Sequence, residues 1–189
     1  MLIGLLFLAV LYIFWNTLTV PSGINLNQAS VVKEMQALQR METASFTIEK
    51  IVDAGTNGNI IQEFLYGDKV LLIAHGQVVG GFDLASIHEN DIQIQGKKIT
   101  LQLPAPIILY SHLDNALTKV YDRTRGLLAP QNSDLESRAR LAAENSIQAA
   151  ACGGGILTQA RDNGRKQITL FLKSLGFTEV NITIPTGSC

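Results

Sequence analysis

The sequence predicts an α+β fold: an N-terminal transmembrane helix, then antiparallel hairpins, then two helices and a final strand. Three observations carry this. The first 20 residues hold 16 apolar residues and no charge. From Phe46 to Leu103, apolar and polar side chains alternate between glycine-rich turns. From Ser133 to Leu175 the period becomes helical, bounded by a cap and by glycines. Strands grouped ahead of helices indicate α+β rather than repeated βαβ units. At 189 residues and a net charge of −1, the chain has one domain's length and no basic excess for nucleic acid.

Residues 1–20 are expected to form the transmembrane anchor. At about 1.5 Å per residue, Leu2 to Val20 covers about 28 Å, close to the hydrocarbon thickness of a bilayer. Tyr12, Phe14 and Trp15 suit an interface. A cleaved signal peptide is the competing reading, but no basic segment precedes the run and no A-x-A site follows it. Residues 21–30 read as a juxtamembrane spacer, 31–184 as one α+β domain and 185–189 as a tail.

Val31, Met35 and Leu38 share one face of a short first helix. Phe46 to Val52 suits a strand, stopped by Gly55-Thr56-Asn57-Gly58-Asn59, and a second strand is expected from Ile60 to Tyr66. Two β-rich runs flank Gly76. Ile92 and Ile94 face Ile99, Leu101 and Leu103 across Gly96-Lys97-Lys98, a hairpin with Gln93, Gln95, Thr100 and Gln102 pointing outward. Residues 107–113 and 118–121 read as a further hairpin about Asp114-Asn115, with Asp114 as a helix cap the alternative.

Ser133 and Glu136 form a capping box, which starts a helix at residue 134. Its inner face is expected to be Leu135, Ala139, Ala142, Ser146 and Ala149 or Ala150. Gly153-Gly154-Gly155 stops it. A second helix places Leu157, Ala160, Gly164, Ile168, Phe171 and Leu175 on one stripe, with Gly176 as the left-handed residue past its end. Thr178 to Ile184 alternates as the last strand.

Chemistry is sparse. His75, His88 and His112 lack any H-E-x-x-H or C-x-x-C companion, so no metal site is expected. No G-x-S-x-G occurs, and the triple glycine follows a helix rather than a strand, which does not suit phosphate binding. Cys152 reads either as a small packed residue or as one half of a bridge to Cys189. No catalytic residue and no cofactor are expected, and the protein is not read as an enzyme.

The chain resembles a mainly bacterial family of membrane-anchored proteins catalogued as domain of unknown function 4230. The resemblance rests on Gly76-Gln77-Val78-Val79-Gly80-Gly81-Phe82-Asp83-Leu84 and on Ile99-Thr100-Leu101-Gln102-Leu103-Pro104-Ala105-Pro106-Ile107-Ile108-Leu109. Val120-Tyr121-Asp122-Arg123, Gly126-Leu127-Leu128 and Leu175-Gly176-Phe177 continue it. Within these runs Gly80, Gly81 and Asp83 form the candidate functional turn, with a turn or cap hydrogen bond as the plain structural reading of Asp83.

The family implies no activity to carry over, so the expected function is a non-catalytic interaction or scaffold module of the cell envelope. Its expected partners are membrane lipid through the anchor and a second copy or an envelope protein. The alternative is a lipid- or small-ligand-binding domain, or a weak hydrolase, using a pocket between the sheet and the alanine-faced helix at Ala139, Ala142 and Ala149. Lys33 and Arg40, read literally, hold the domain in the cytoplasm. Lys33 lies near the limit at which such charges count, and the resemblance implies a very short inner tail, so the soluble domain is expected outside the cytoplasm.

Overall fold

The computed structural model describes residues 27–55, 64–129 and 134–189. The expected anchor and most of the spacer lie outside the described residues. Among the described residues no helix is long and apolar enough to cross a membrane.

Helix α1 (Gln28–Ala37) begins where the Asn27 side chain accepts a hydrogen bond from the Ser30 N–H at 2.8 Å. It buries Val31, Val32 and Met35, while Leu38, expected on the same face, lies past the helix and is exposed. Gln39 then reverses the chain into strand β1 (Arg40–Gly55). Strand β2 (Asp68–Asp83) pairs antiparallel with β1 along its whole length. The two runs flanking Gly76 are therefore one strand. Where a second strand was expected from Ile60, residues 64–66 form a helical turn and residues 60–63 lie outside the described residues.

Strands β3 (Ile92–Gln95) and β4 (Lys98–Gln102) form the expected hairpin, with Ile94 opposite Ile99 and Gly96 at φ +60°. Strands β5 (Ile107–Leu113) and β6 (Lys119–Arg125) do not pair with each other. Both run antiparallel to β2, β5 against residues 76–81 and β6 against residues 68–73. They form one interrupted edge with a loop between them. Asp114 closes that loop, its carboxylate accepting from the N–H groups of Ala116 (2.9 Å) and Leu117 (3.1 Å). The Asp114 N–H donates to the His75 carbonyl at 2.9 Å, and the Thr118 hydroxyl accepts from the His75 N–H at 3.2 Å. An Asx turn thus satisfied both polar groups of His75 without a hairpin.

Helices α2 (Leu135–Gly153) and α3 (Ile156–Ser174) meet at the triple glycine, where Gly155 takes φ +80°. The expected α2 face holds only at its start. The buried residues are Leu135, Ala139, Ala143, Ile147 and Ala151, a strict four-residue step, whereas Ala142 and Ala149 are exposed. A helix crossing a twisted sheet presents one i,i+4 ridge, and that ridge sets the stripe. Ser133 lies outside the described residues, and Glu136 accepts from Arg140 at 2.9 Å. The α3 stripe follows expectation, with Leu172 taking the fully buried place beside half-buried Phe171 and Leu175. Gly176 at φ +105° ends the helix. Strand β7 (Glu179–Thr183) then pairs parallel with β4.

The result is two sheets, β1-β2 with β5 and β6 sharing the far edge of β2, and β3-β4-β7. Each has its own core. Ala44, Val70, Leu72, Ala74 and Val78 of the large sheet meet α2 and the first half of α3. Phe82, Leu84, Ile99 and Leu101 meet α1 and the second half of α3. Strand β2 and helix α3 contribute to both cores. The final residues are held in place: Gly187 lies against Pro106, and Cys189 is bridged to Cys152.

Candidate functional site

The run Gly76 to Leu84 crosses the junction of the two cores, and each residue in it that seemed placed for function has a packing task. A Cβ at Gly76 would come within 2.8 Å of the His112 carbonyl and 2.9 Å of the Ile147 side chain, so the glycine lets α2 lie close on the sheet. At Gly80 the space is filled by Ile156, Leu157 and Ala160 of α3. At Gly81 it is filled by the Met41 carbonyl of β1. Phe82 fits the notch left by Gly164 in α3, and both residues are buried. Asp83 caps the short 3-10 turn Leu84–Ser86, accepting from the Ala85 N–H at 3.2 Å. It makes the plain turn contact that the sequence allowed.

The remaining family motifs behave alike. Leu103 is buried, and its N–H donates to the Thr183 carbonyl of β7 at 2.9 Å. Gly126 lies on the backbone of Leu65, its N–H donating to the Gly67 carbonyl at 2.7 Å. Arg123 makes two hydrogen bonds to Asp68, at 3.1 and 2.8 Å, and Asp68 is buried. The bonds from the guanidinium, helped by its charge and that of Arg125, hold the Asp68 carboxyl below the ordinary carboxylate range against the opposing effect of burial.

A model of the family described as protein of unknown function (DUF4230) matches residues 33–182. The chain belongs to the DUF4230 family. None of the curated proteins compared and none of the solved structures matches it. The DUF4230 motifs in this chain are thus largely a packing signature: glycines at close approaches, a phenylalanine in a notch and a capped turn.

The histidines stay separate. His75 lies 3.5 Å from Glu49 on the outer face of the large sheet, and His112 stacks on Tyr110 with ring centroids 5.9 Å apart. His88 caps the 3-10 turn Glu89–Asp91, its N–H donating to Asp91 at 2.9 Å. Among the described residues no group of three or more His, Cys, Asp and Glu is placed to hold a metal ion. The alanine-faced pocket does not form at the expected residues: Ala139 is fully buried against the sheet, and Ala142 and Ala149 face solvent.

What sequence reading missed is a surface. Phe64, Tyr66, Leu127 and Leu128 are 65%, 55%, 77% and 61% exposed. Their two segments are fastened side by side, the Leu128 N–H donating to the Leu65 carbonyl at 2.7 Å. The signal was present as Gly126-Leu127-Leu128, two adjacent leucines after a strand whose seven residues are all exposed. Only the pairing of β6 with β2 brings them beside Phe64 and Tyr66.

Proposed function

We propose that this DUF4230 chain is a single-pass, membrane-anchored interaction module of the cell envelope, carrying its domain outside the cytoplasm, self-associating, and catalysing no reaction. The observation that carries the reading is the apolar surface at Phe64, Tyr66, Leu127 and Leu128. Scattered exposed leucines are ordinary on a monomer, whereas four exposed aromatic and aliphatic residues on two hydrogen-bonded segments favour a surface that another molecule covers. The chain enters the domain at α1, beside the start of β1, and the patch lies at the other end of that strand. Fifteen residue steps at about 3.3 Å put about 50 Å between them. That separation favours a second copy over the bilayer holding the anchor. The Cys152–Cys189 bridge supports an oxidising compartment, since disulfides persist outside the cytoplasm.

The test is a photoreactive amino acid placed at Leu127 of the full chain in its native membrane. Leu141, 61% exposed but alone on α2, is the control. The expected result is a covalent dimer from position 127 and none from position 141. Equal yields from both positions, or adducts to lipid alone, sink the self-association.

A further inference from the structure

A second apolar feature lies at the end of the molecule where α1 hands over to β1. A groove of about 300 Å³ opens between the end of α1, the first residues of β1 and the middle of α3. Leu38, Met41 and Phe171 supply its accessible apolar lining over fully buried Met35 and Ile168, and Arg40 and Gln167 are the polar residues on it. The hinge beside it is strained: Gln39 has φ +48°, the one non-glycine residue in the left-handed region among the described residues. It is fastened on both sides, its N–H donating to the Gln36 carbonyl at 3.0 Å and its carbonyl accepting from the Leu84 N–H at 2.7 Å. This reversal sets Leu38 and Arg40 together on the groove. Leu38 is 45% exposed, and Arg40 is exposed with no ion pair among the described residues.

We propose that the groove binds a medium-chain fatty acid, the alkyl chain on the methionine and phenylalanine lining and the carboxylate on Arg40. Three properties select this ligand. The volume of about 300 Å³ lies at the small end of ligand pockets, which suits one alkyl chain and not the two of a phospholipid. Half-buried Met41 provides a flexible, polarizable wall that adapts to a chain without fixed shape. The lone guanidinium matches a carboxylate in a planar, two-bond geometry. A peptide would instead leave its backbone polar groups facing a lining where only Gln167 and Arg40 offer partners. The site is independent of the self-association surface at the far end of the sheet, so either can fail without the other.

The experiment uses the full chain in phosphatidylcholine nanodiscs, labelled with a diazirine-bearing dodecanoic acid and mapped by mass spectrometry. Saturable labelling is expected on the peptides holding Met35 to Met41 and Gln167 to Phe171. Dodecanoate should compete, with each two-carbon shortening weakening it about five- to fifteenfold. Gln167→Trp, on an exposed position, should block labelling while the disulfide and circular dichroism spectrum persist. Arg40→Gln should remove the preference for dodecanoate over dodecanol and leave chain-length dependence intact. Labelling that does not saturate, spreads over the surface or survives Gln167→Trp overturns the proposal.

Discussion

Asp68 and Arg123 are unequal partners, and the inequality predicts which substitution hurts more. Asp68 is buried on β2, whereas the Arg123 side chain keeps 36% of its surface in water. Asp68→Asn leaves an arginine that can turn to solvent. Arg123→Leu leaves a buried carboxylate with its two strongest bonds gone, so it should destabilise more. The pH dependence has a definite sign. The guanidinium of Arg123 holds the folded carboxyl below the ordinary aspartate range, so its stabilisation is complete above the unfolded pKa and is lost as the pH falls through the lower folded one. Urea unfolding at pH 6 and pH 3 should therefore show a smaller acid loss for Asp68→Asn than for the parent. Gln39 is a second residue-scale case. Its left-handed backbone costs about 1 kcal/mol that glycine avoids, and Gln39→Gly should raise stability by about 0.5–1 kcal/mol in the same titration. Residue roles of this kind were partly legible in the sequence. The turn was readable at Asp83, a cap residue just after a strand, because its partners lie within three residues. The Asp68–Arg123 pair was not, because 55 residues separate the two and only strand pairing joins them.

The elements read correctly were those fixed by local chemistry. Gly96 marked the β3–β4 hairpin, the triple glycine ended α2, and Gly176 ended α3, because each needs only a few neighbouring dihedral angles. Those misread depended on distant partners. The segments around Asp114 have strand propensity whether they pair with each other or both with β2, and the length of β2 is what decides. The α2 stripe drifted from expectation because alanines stand next to one another at 142–143 and 149–151, so composition could not say which ones face the sheet. Only Gly76 and Ile147, meeting across the interface, fix the rotation. Helix α3 has a sharper lock at Gly164, where a Cβ would enter the Phe82 ring. Gly164→Ala gains helix propensity of up to about 1 kcal/mol but overpacks a filled notch at about 1–3 kcal/mol, so a net loss is expected. The same substitution made in a Phe82→Leu background should cost at least about 1 kcal/mol less, a coupling that a double-mutant cycle in urea measures directly. Additive effects would mean that the ring and the glycine do not share the notch.

At the scale of the whole molecule, two cores share β2 and α3, and the bridge from Cys152 to Cys189 ties the last residue to the α2–α3 corner. Its two cysteines are 37 residues apart. In the chain-entropy picture, closing a loop of that size removes about 4 kcal/mol of freedom from the unfolded state. The closed loop contains α3, which packs in both cores, and β7 of the small sheet, so the bridge restrains the assembly rather than one local turn. Cys152→Ala, Cys189→Ala and the double substitution should therefore lower unfolding stability by similar amounts, up to about 4 kcal/mol, because each removes the same single constraint. A reductant should bring the parent protein to the level of the variants and leave the variants unmoved. The bridge also connects fold to compartment. In intact cells, rapid acid quenching followed by alkylation should leave both cysteines unmodified until a reductant is added, as an oxidising surrounding requires. Complete alkylation without reduction would place the domain in a reducing compartment and overturn the proposed topology, while the stability difference between purified parent and variants would still stand.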